Sequence, residues 1–167
     1  ILTKNGTGTM ALTGNNTYTG ATTINAGTLE IGAAGRLGAG SYSGAITNNG
    51  TLIYSGTNSQ TLSGVISGTG ALTHNASSTL TLSGANNYNG TTTINAGTLA
   101  IGNSMTIGAI TGSGNLTLSS GTLTTLSSTN STFSGAISGG GALTKNGTGT
   151  LTLAGATTYS GATAVSG

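Results

Sequence analysis

The sequence predicts an all-β protein in which short strands wind into a parallel β-solenoid. Three observations predict this fold class: an unusual composition, a long internal repeat, and a period-two alternation of apolar and polar residues. Gly, Thr, Ser and Asn together supply 104 of the 167 residues. There is no Pro and no Cys, and the only fully charged residues are Lys4, Arg36, Lys145 and Glu30.

The composition excludes several classes of protein. Three basic residues cannot build a basic stripe, so we expect no nucleic-acid partner. No run approaches the ~18 apolar residues of a spanning helix, and the first residues lack the basic and apolar regions of a signal peptide. We therefore expect no membrane span, and a chain that is mature or cut from a longer one. The lack of Pro and the abundance of Thr, Ile, Leu and Val favour strands over disorder.

The internal repeat is long and specific. Residues 2–33 align without gaps on residues 72–103, with 19 identities in 32 positions, and residues 142–167 match residues 1–26 at 15 of 26 positions. A unit of this kind buries its apolar face only by stacking on its neighbours. The sequence therefore predicts a single solenoid segment over residues 1–167, with repeats at 1–70 and 71–141 and a truncated third copy at 142–167.

Inside each repeat a Gly-x-Leu motif recurs, with successive leucines about 23 residues apart, a spacing within the range of solenoid repeats. Taking one motif as one coil predicts about seven coils of roughly 23 residues, without end caps. The axial repeat is then about six rungs, or ~29 Å, for the two complete repeats.

Alternation within each unit assigns side chains to the interior. Stretches such as Thr79–Leu82 read polar-apolar-polar-apolar, which is typical of a half-buried strand, and Asn-Gly pairs such as Asn5-Gly6 supply the sharp corners. The repeat alignment predicts two interior columns. The leucine column comprises Leu29, Leu52, Leu72, Leu99, Leu116 and Leu143, and the isoleucine column comprises Ile24, Ile46, Ile66, Ile94, Ile110 and Ile137.

One family shares these motifs. From Leu143 to Thr163 the chain reads Leu-Thr-Lys-Asn-Gly-Thr-Gly-Thr-Leu-Thr-Leu-x-Gly-x-x-x-Tyr-x-Gly-x-Thr, and nearly the same from Leu2, where it continues through Thr23–Gly32. This resembles the autotransporter-associated β-strand repeat of bacterial passenger regions. The resemblance implies a right-handed parallel β-helix, exposure at the bacterial cell surface, and roles in adhesion, biofilm or surface-layer structure.

Candidate chemistry is sparse, so we expect no enzyme, cofactor or metal site. Glycoside hydrolysis generally needs two carboxylates and a Ser-His-Asp triad needs an Asp, whereas the chain has one Glu and no Asp. His74 takes the repeat position of Lys4 and Lys145, which we interpret as an exposed corner. Tyr18, Tyr88 and Tyr159 share one repeat position, where they either pack a projecting loop or stack on sugars.

Three functions are compatible with the sequence. The first is an extracellular structural fibre whose partner is another head-to-tail copy of the same repeat. The second is an adhesin passenger stalk, with glycans or a host cell surface as possible partners. The third is an ice-binding array built from Thr-x-Thr pairs such as Thr79/Thr81 and Thr122/Thr124. All three place the protein outside the cell.

Overall fold

The computed structural model describes residues 1–167, which form 25 short strands and one 3₁₀ turn. The first twelve strands are β1 (Leu2–Lys4), β2 (Thr9–Leu12), β3 (Asn15–Asn16), β4 (Thr22–Ile24), β5 (Thr28–Ala33), β6 (Arg36–Leu37), β7 (Ser41–Tyr42), β8 (Ile46–Asn48), β9 (Thr51–Gly56), β10 (Gln60–Leu62), β11 (Ile66–Gly68) and β12 (Ala71–His74). The others are β13 (Thr79–Leu82), β14 (Asn87–Tyr88), β15 (Thr92–Ile94), β16 (Thr98–Ile101), β17 (Met105–Ile107), β18 (Ile110–Gly112), β19 (Asn115–Leu118), β20 (Thr122–Thr125), β21 (Ser131–Phe133), β22 (Ile137–Gly139), β23 (Ala142–Lys145), β24 (Leu151–Leu153) and β25 (Thr163–Val165). The 3₁₀ turn lies at Gly38–Gly40.

The strands form three long parallel sheets. Sheet 1 has the order β1-β4-β8-β11-β14-β17-β20-β23-β25, sheet 2 the order β2-β5-β9-β12-β15-β18-β21-β24, and sheet 3 the order β7-β10-β13-β16-β19-β22, while β3 and β6 form a two-stranded sheet. Beyond the first coils the chain visits sheets 1, 2 and 3 in turn before returning to sheet 1. Each strand pairs with the strand one coil away, so the predicted parallel β-solenoid is confirmed.

The coils are shorter and more numerous than the leucine spacing predicts. Sheet 1 contains nine strands, and Leu2 pairs with Thr22 at one end while Leu143 pairs with Thr163 at the other. The chain therefore makes eight coils of about 20 residues, near the short end of solenoid repeats, instead of about seven longer ones. The two complete repeats span seven rungs, one more than the six that the motif count predicts, because Leu2 and Leu143 lie on the same sheet seven rungs apart.

The sequence repeat is out of phase with the coil, which explains the error. Leu2 lies on sheet 1, its repeat equivalent Leu72 lies on sheet 2, and Leu143 lies on sheet 1 again. The first repeat therefore contains three full coils and then advances by one sheet, from sheet 1 to sheet 2. The second contains three full coils and then advances by two sheets, from sheet 2 through sheet 3 to sheet 1. Because the motif moves between faces, counting its copies undercounts the coils.

The same shift divides the predicted interior columns. All twelve residues are buried. However, Leu29, Leu52 and Leu72 stack on sheet 2, Leu99 and Leu116 stack on sheet 3, and Leu143 lies on sheet 1. The isoleucines divide likewise: Ile24, Ile46 and Ile66 lie on sheet 1, Ile94 and Ile110 on sheet 2, and Ile137 on sheet 3. The prediction of one continuous column of each residue type is therefore wrong, because every sheet has its own mixed columns of inward side chains.

Outward positions carry neutral polar ladders. Asn25 Nδ2 donates to Asn5 Oδ1 at 2.7 Å, and Asn95 repeats this contact with Asn75 at the same distance. Neutral side chains suit positions one rung (~4.8 Å) apart, where like charges would repel.

The second coil is longer than its neighbours. It runs from Thr22 of β4 to its partner Ile46 of β8, whereas the next coil runs only from Ile46 to Ile66. The extra residues lie near the 3₁₀ turn, and Ala33 and Ala39 adopt positive φ angles there, of 52° and 55°. These are the two non-glycine residues of the chain with positive φ, a conformation that L-residues seldom adopt.

Candidate functional site

Lys4, His74 and Lys145 are inward-pointing side chains that bind the corner following their strand. We call this repeat position the basic slot. Lys4 is only 7% exposed, and its ammonium group donates to the Gly6 carbonyl and, at 3.2 Å, to the Ala26 carbonyl. Lys145 donates in the same way to the Gly147 carbonyl. These three carbonyl oxygens accept no backbone hydrogen bond, so the lysine ammonium groups satisfy them.

His74 is buried rather than exposed, so our interpretation of it as an exposed corner residue is wrong. Its Nε2 lies 3.0 Å from the Ser78 carbonyl oxygen, its Nδ1 lies 3.4 Å from the Tyr54 carbonyl oxygen, and its ring stacks on the Tyr54 ring. Burial lowers the pKa of His74, although the two carbonyl contacts oppose this shift. A neutral imidazole donates from one nitrogen only, so one of the two carbonyls lacks a donor from this ring.

The signal for the basic slot was present in the sequence. Leu2 and Lys4 flank Thr3, as Leu72 and His74 flank Thr73, and period-two alternation puts the flanking pair on one side of the strand. A charged residue is seldom buried without a partner, which made an exposed corner the simpler interpretation. The partners are backbone carbonyls, which composition does not reveal.

Thr125 takes the position of Lys145 one rung earlier, and the five-residue corner 126–130 follows it. Its side chain is 2% exposed, and the hydroxyl Oγ1 has no hydrogen-bond partner. Lys145 pairs directly with Thr125, so a lysine at residue 125 would bring two ammonium groups within about one rung of each other. The neutral Thr125 therefore occupies the basic slot on the rung next to the cationic Lys145.

A groove opens on the corners between sheets 1 and 2, where short corners meet a long one. Residues 89 and 91 of one corner and 108 and 109 of the next form its floor, and residues 126–129 of the longer corner form its wall. We call it the step groove. It has a volume of about 430 Å³, and no charged side chain lines it. Leu126 is 42% exposed at its wall.

The three repeat tyrosines brace corners against the following strand. Tyr18 and Tyr88 bond the hydroxyl of the threonine four residues later, at 3.1 and 2.6 Å, and Tyr159 does so with Thr163. Tyr88 is fully buried, and burial raises its pKa well above the usual range. Its ring therefore has no free face for a sugar, whereas Tyr18 and Tyr159 are half-buried. The spacing Tyr-x-x-x-Thr was the available sequence signal.

Other predicted features are dispersed over the molecule. Thr79 and Thr81 lie on sheet 3 while Thr122 and Thr124 lie on sheet 1, so these pairs do not form one flat array. No three His, Cys, Asp or Glu side chains come together. None of the chain's elements is a helix with the length and hydropathy to cross a membrane.

Stacked parallel coils and a long internal repeat define this protein as a repeat β-solenoid. The family model described as Passenger-associated-transport-repeat matches residues 2–31, 77–101 and 143–167. A segment of the Adhesin BmaC autotransporter of Brucella suis biovar 1 (strain 1330) is 42% identical over 167 residues, which is 99% of this chain. No solved structure matches the chain.

The chain carries three matches to this passenger repeat, as the resemblance implied. It spans about 4% of the length of the curated relative that it matches. Passenger repeats belong to exported proteins, so these matches imply surface or extracellular exposure. Two of the three matched ranges contain a basic slot, Lys4 in the first and Lys145 in the third.

Proposed function

We propose that this segment is a length of non-catalytic rod that spaces other parts of an extracellular, surface-exposed passenger from the cell. The single observation that carries the proposal is the continuity of sheet 1, whose nine strands run from β1 to β25 without interruption. A stack of this kind grows by one rung for each coil, so adding repeats adds length. The relative's printed name, an adhesin, supports a stalk that serves attachment.

The rod predicts a fixed length increment. One full period, from Leu2 to Leu143, contains seven rungs and returns the motif to sheet 1, so each period adds about 34 Å. We would duplicate residues 2–142 in tandem within this chain and measure the maximum dimension by small-angle X-ray scattering. The expected result is an extension of about 34 Å, at ~4.8 Å for each rung, with an unchanged cross-section. An unchanged maximum dimension with a thicker cross-section would contradict the rod.

A second candidate is a fibre built from head-to-tail copies of this segment. Residues 142–167 begin on sheet 1, the same face as residues 1–26, so a second copy could continue the ladder in register. A head-to-tail contact that does not close on itself gives a filament. Sedimentation velocity over a hundredfold range of concentration tests this. Growing linear species support the fibre, and a constant monomer contradicts it and leaves the stalk.

A further inference from the structure

The step groove lies where two adjacent corners between sheets 1 and 2 differ in length by three residues. Three residues join β14 to β15 and two join β17 to β18, whereas five residues join β20 to β21. The longer corner projects beyond the two below it and forms a wall above their floor. The volume of about 430 Å³ falls within the range of small-ligand sites, ~300–1,000 Å³.

Three polar side chains at the groove make no hydrogen bond within the protein. These are Asn89 and Thr91 on the floor and Ser128 on the wall, and Asn89 and Ser128 are exposed. Together they offer one amide and two hydroxyl groups, which can donate as well as accept. By contrast, Ser127 and Thr129 bond one another and hold the shape of the wall.

The groove also has one apolar surface and carries no charge. Leu126 is one of the few large hydrophobic side chains that the chain exposes. The closest basic side chain along the sheet, Lys145, turns inward and donates to the Gly147 carbonyl. A charged ligand would therefore lose its hydration in the groove without gaining a countercharge. A neutral polyhydroxylated ligand needs no countercharge, and its hydroxyl groups can exchange water for the groove's polar side chains.

We propose that the step groove binds a neutral oligosaccharide. The hydroxyl groups of the sugar exchange hydrogen bonds with Asn89, Thr91 and Ser128, and its apolar C–H face rests on Leu126. A few directed polar groups beside an apolar surface are what fix a small ligand's orientation. The proposed sugar contact lies in this groove and does not involve the repeat tyrosines. It goes beyond the spacing role and does not depend on it.

The test is an array of neutral, sialylated and sulfated oligosaccharides probed with this chain, followed by titration of the strongest neutral ligand. We expect selective binding of neutral glycans. Asn89→Ala and Thr91→Val should each weaken binding about tenfold, the equivalent of one directed hydrogen bond with its unpaired partner. Ser128→Ala, at an exposed loop position, should also weaken binding and carries the least risk to folding.

Asn146→Ala is the matched control. Asn146 also precedes a glycine and is exposed, but it lies on the far side of corner 126–130 and does not line the groove. Its substitution should leave the affinity unchanged. The proposal is overturned by an array without neutral ligands, by preference for anionic glycans, or by affinity that survives all three groove substitutions. None of these outcomes would alter the rod-length measurement, so the two proposals fail separately.

Discussion

Corners 126–130 and 146–150 have the same length and lie on adjacent rungs, yet their sequences differ at all five positions. The later corner reads Asn-Gly-Thr-Gly-Thr and follows Lys145, and the earlier one reads Leu-Ser-Ser-Thr-Asn and follows Thr125. A Cβ on Gly147 would lie 2.0 Å from the Ser127 carbonyl oxygen, and one on Gly149 would lie 2.2 Å from that of Thr129. The later corner therefore needs glycine because it packs on a corner of equal length.

The earlier corner has a neighbour of equal length on one side only. The corner on its other side is only two residues long, so its serine and threonine side chains project into the step groove. The comparison shows that the residues of a corner are selected by the length of the adjacent corner as well as by their own turn. It also shows that two adjacent rungs do not both fill the basic slot.

Thr125→Lys is expected to have the largest effect. Two ammonium groups about 5 Å apart repel by ~3 kcal/mol at an effective dielectric constant near 20. We expect the free energy of unfolding to fall by about this amount, measured by urea denaturation at pH 7. Thr125→Val removes the hydroxyl that has no partner and should be neutral or slightly stabilising. An equal decrease in the free energy of unfolding for the two variants would show that packing, and not charge repulsion, disfavours other residues at position 125.

Lys4→Met measures what the hydrogen bonds of the basic slot contribute to stability, without introducing a second charge. It keeps most of the apolar stem and removes the donor to the Gly6 and Ala26 carbonyls, at an expected cost of about 2 kcal/mol. Lys145→Met should cost about half as much, because Lys145 is partly exposed and has one acceptor within the protein. Denaturation of both variants side by side measures the difference, and a larger loss at Lys145 would contradict it.

Gly147→Ala tests the close packing of the two corners. The added methyl group meets the Ser127 backbone, so the rungs must separate locally, and we expect a loss of roughly 1.5 kcal/mol. Gly140→Ala is the control, because its nearest neighbouring atom, the Ser119 carbonyl oxygen, lies 3.9 Å from the added carbon. Thermal unfolding should show a lowered midpoint for the first variant only.

The smallest expected effect is a pH dependence from His74, the one histidine of the chain. Burial lowers its pKa in the folded state, so the unfolded chain binds the proton more tightly. Stability should be complete above the unfolded pKa of about 6.5 and should fall as the pH drops below it. Tyr54 and the Ser78 carbonyl face the ring, and neither ionises in this range.

Urea midpoints between pH 7.5 and 5 measure the effect. His74→Lys places the side chain of the other two copies in the slot, and that side chain does not titrate in this range. The variant should lose the pH dependence. The same slope in both proteins would show that another group is responsible.

Much of the fold followed from particular residues. The alternation at Thr79–Leu82 correctly predicted which side chains face inward, and the same rule applied to Leu2-Thr3-Lys4 would have placed Lys4 inside. The step groove could not be found in this way, because none of its residues forms a motif. It arises where corners from three successive coils, far apart in sequence, lie side by side.

The sequence by itself determined the parallel solenoid, the inward and outward faces of each strand and the resemblance to passenger repeats. These properties depend on the local alternation of apolar and polar residues and on a motif repeated along the chain, so the linear sequence is enough to predict them. The tertiary structure alone decided the number of coils, the face on which each motif copy lies, the burial of His74 and the step groove. All four depend on the same physical cause. Corners of different lengths set how far the chain advances in each coil and which residues each corner contacts, and these contacts exist only once the coils are stacked.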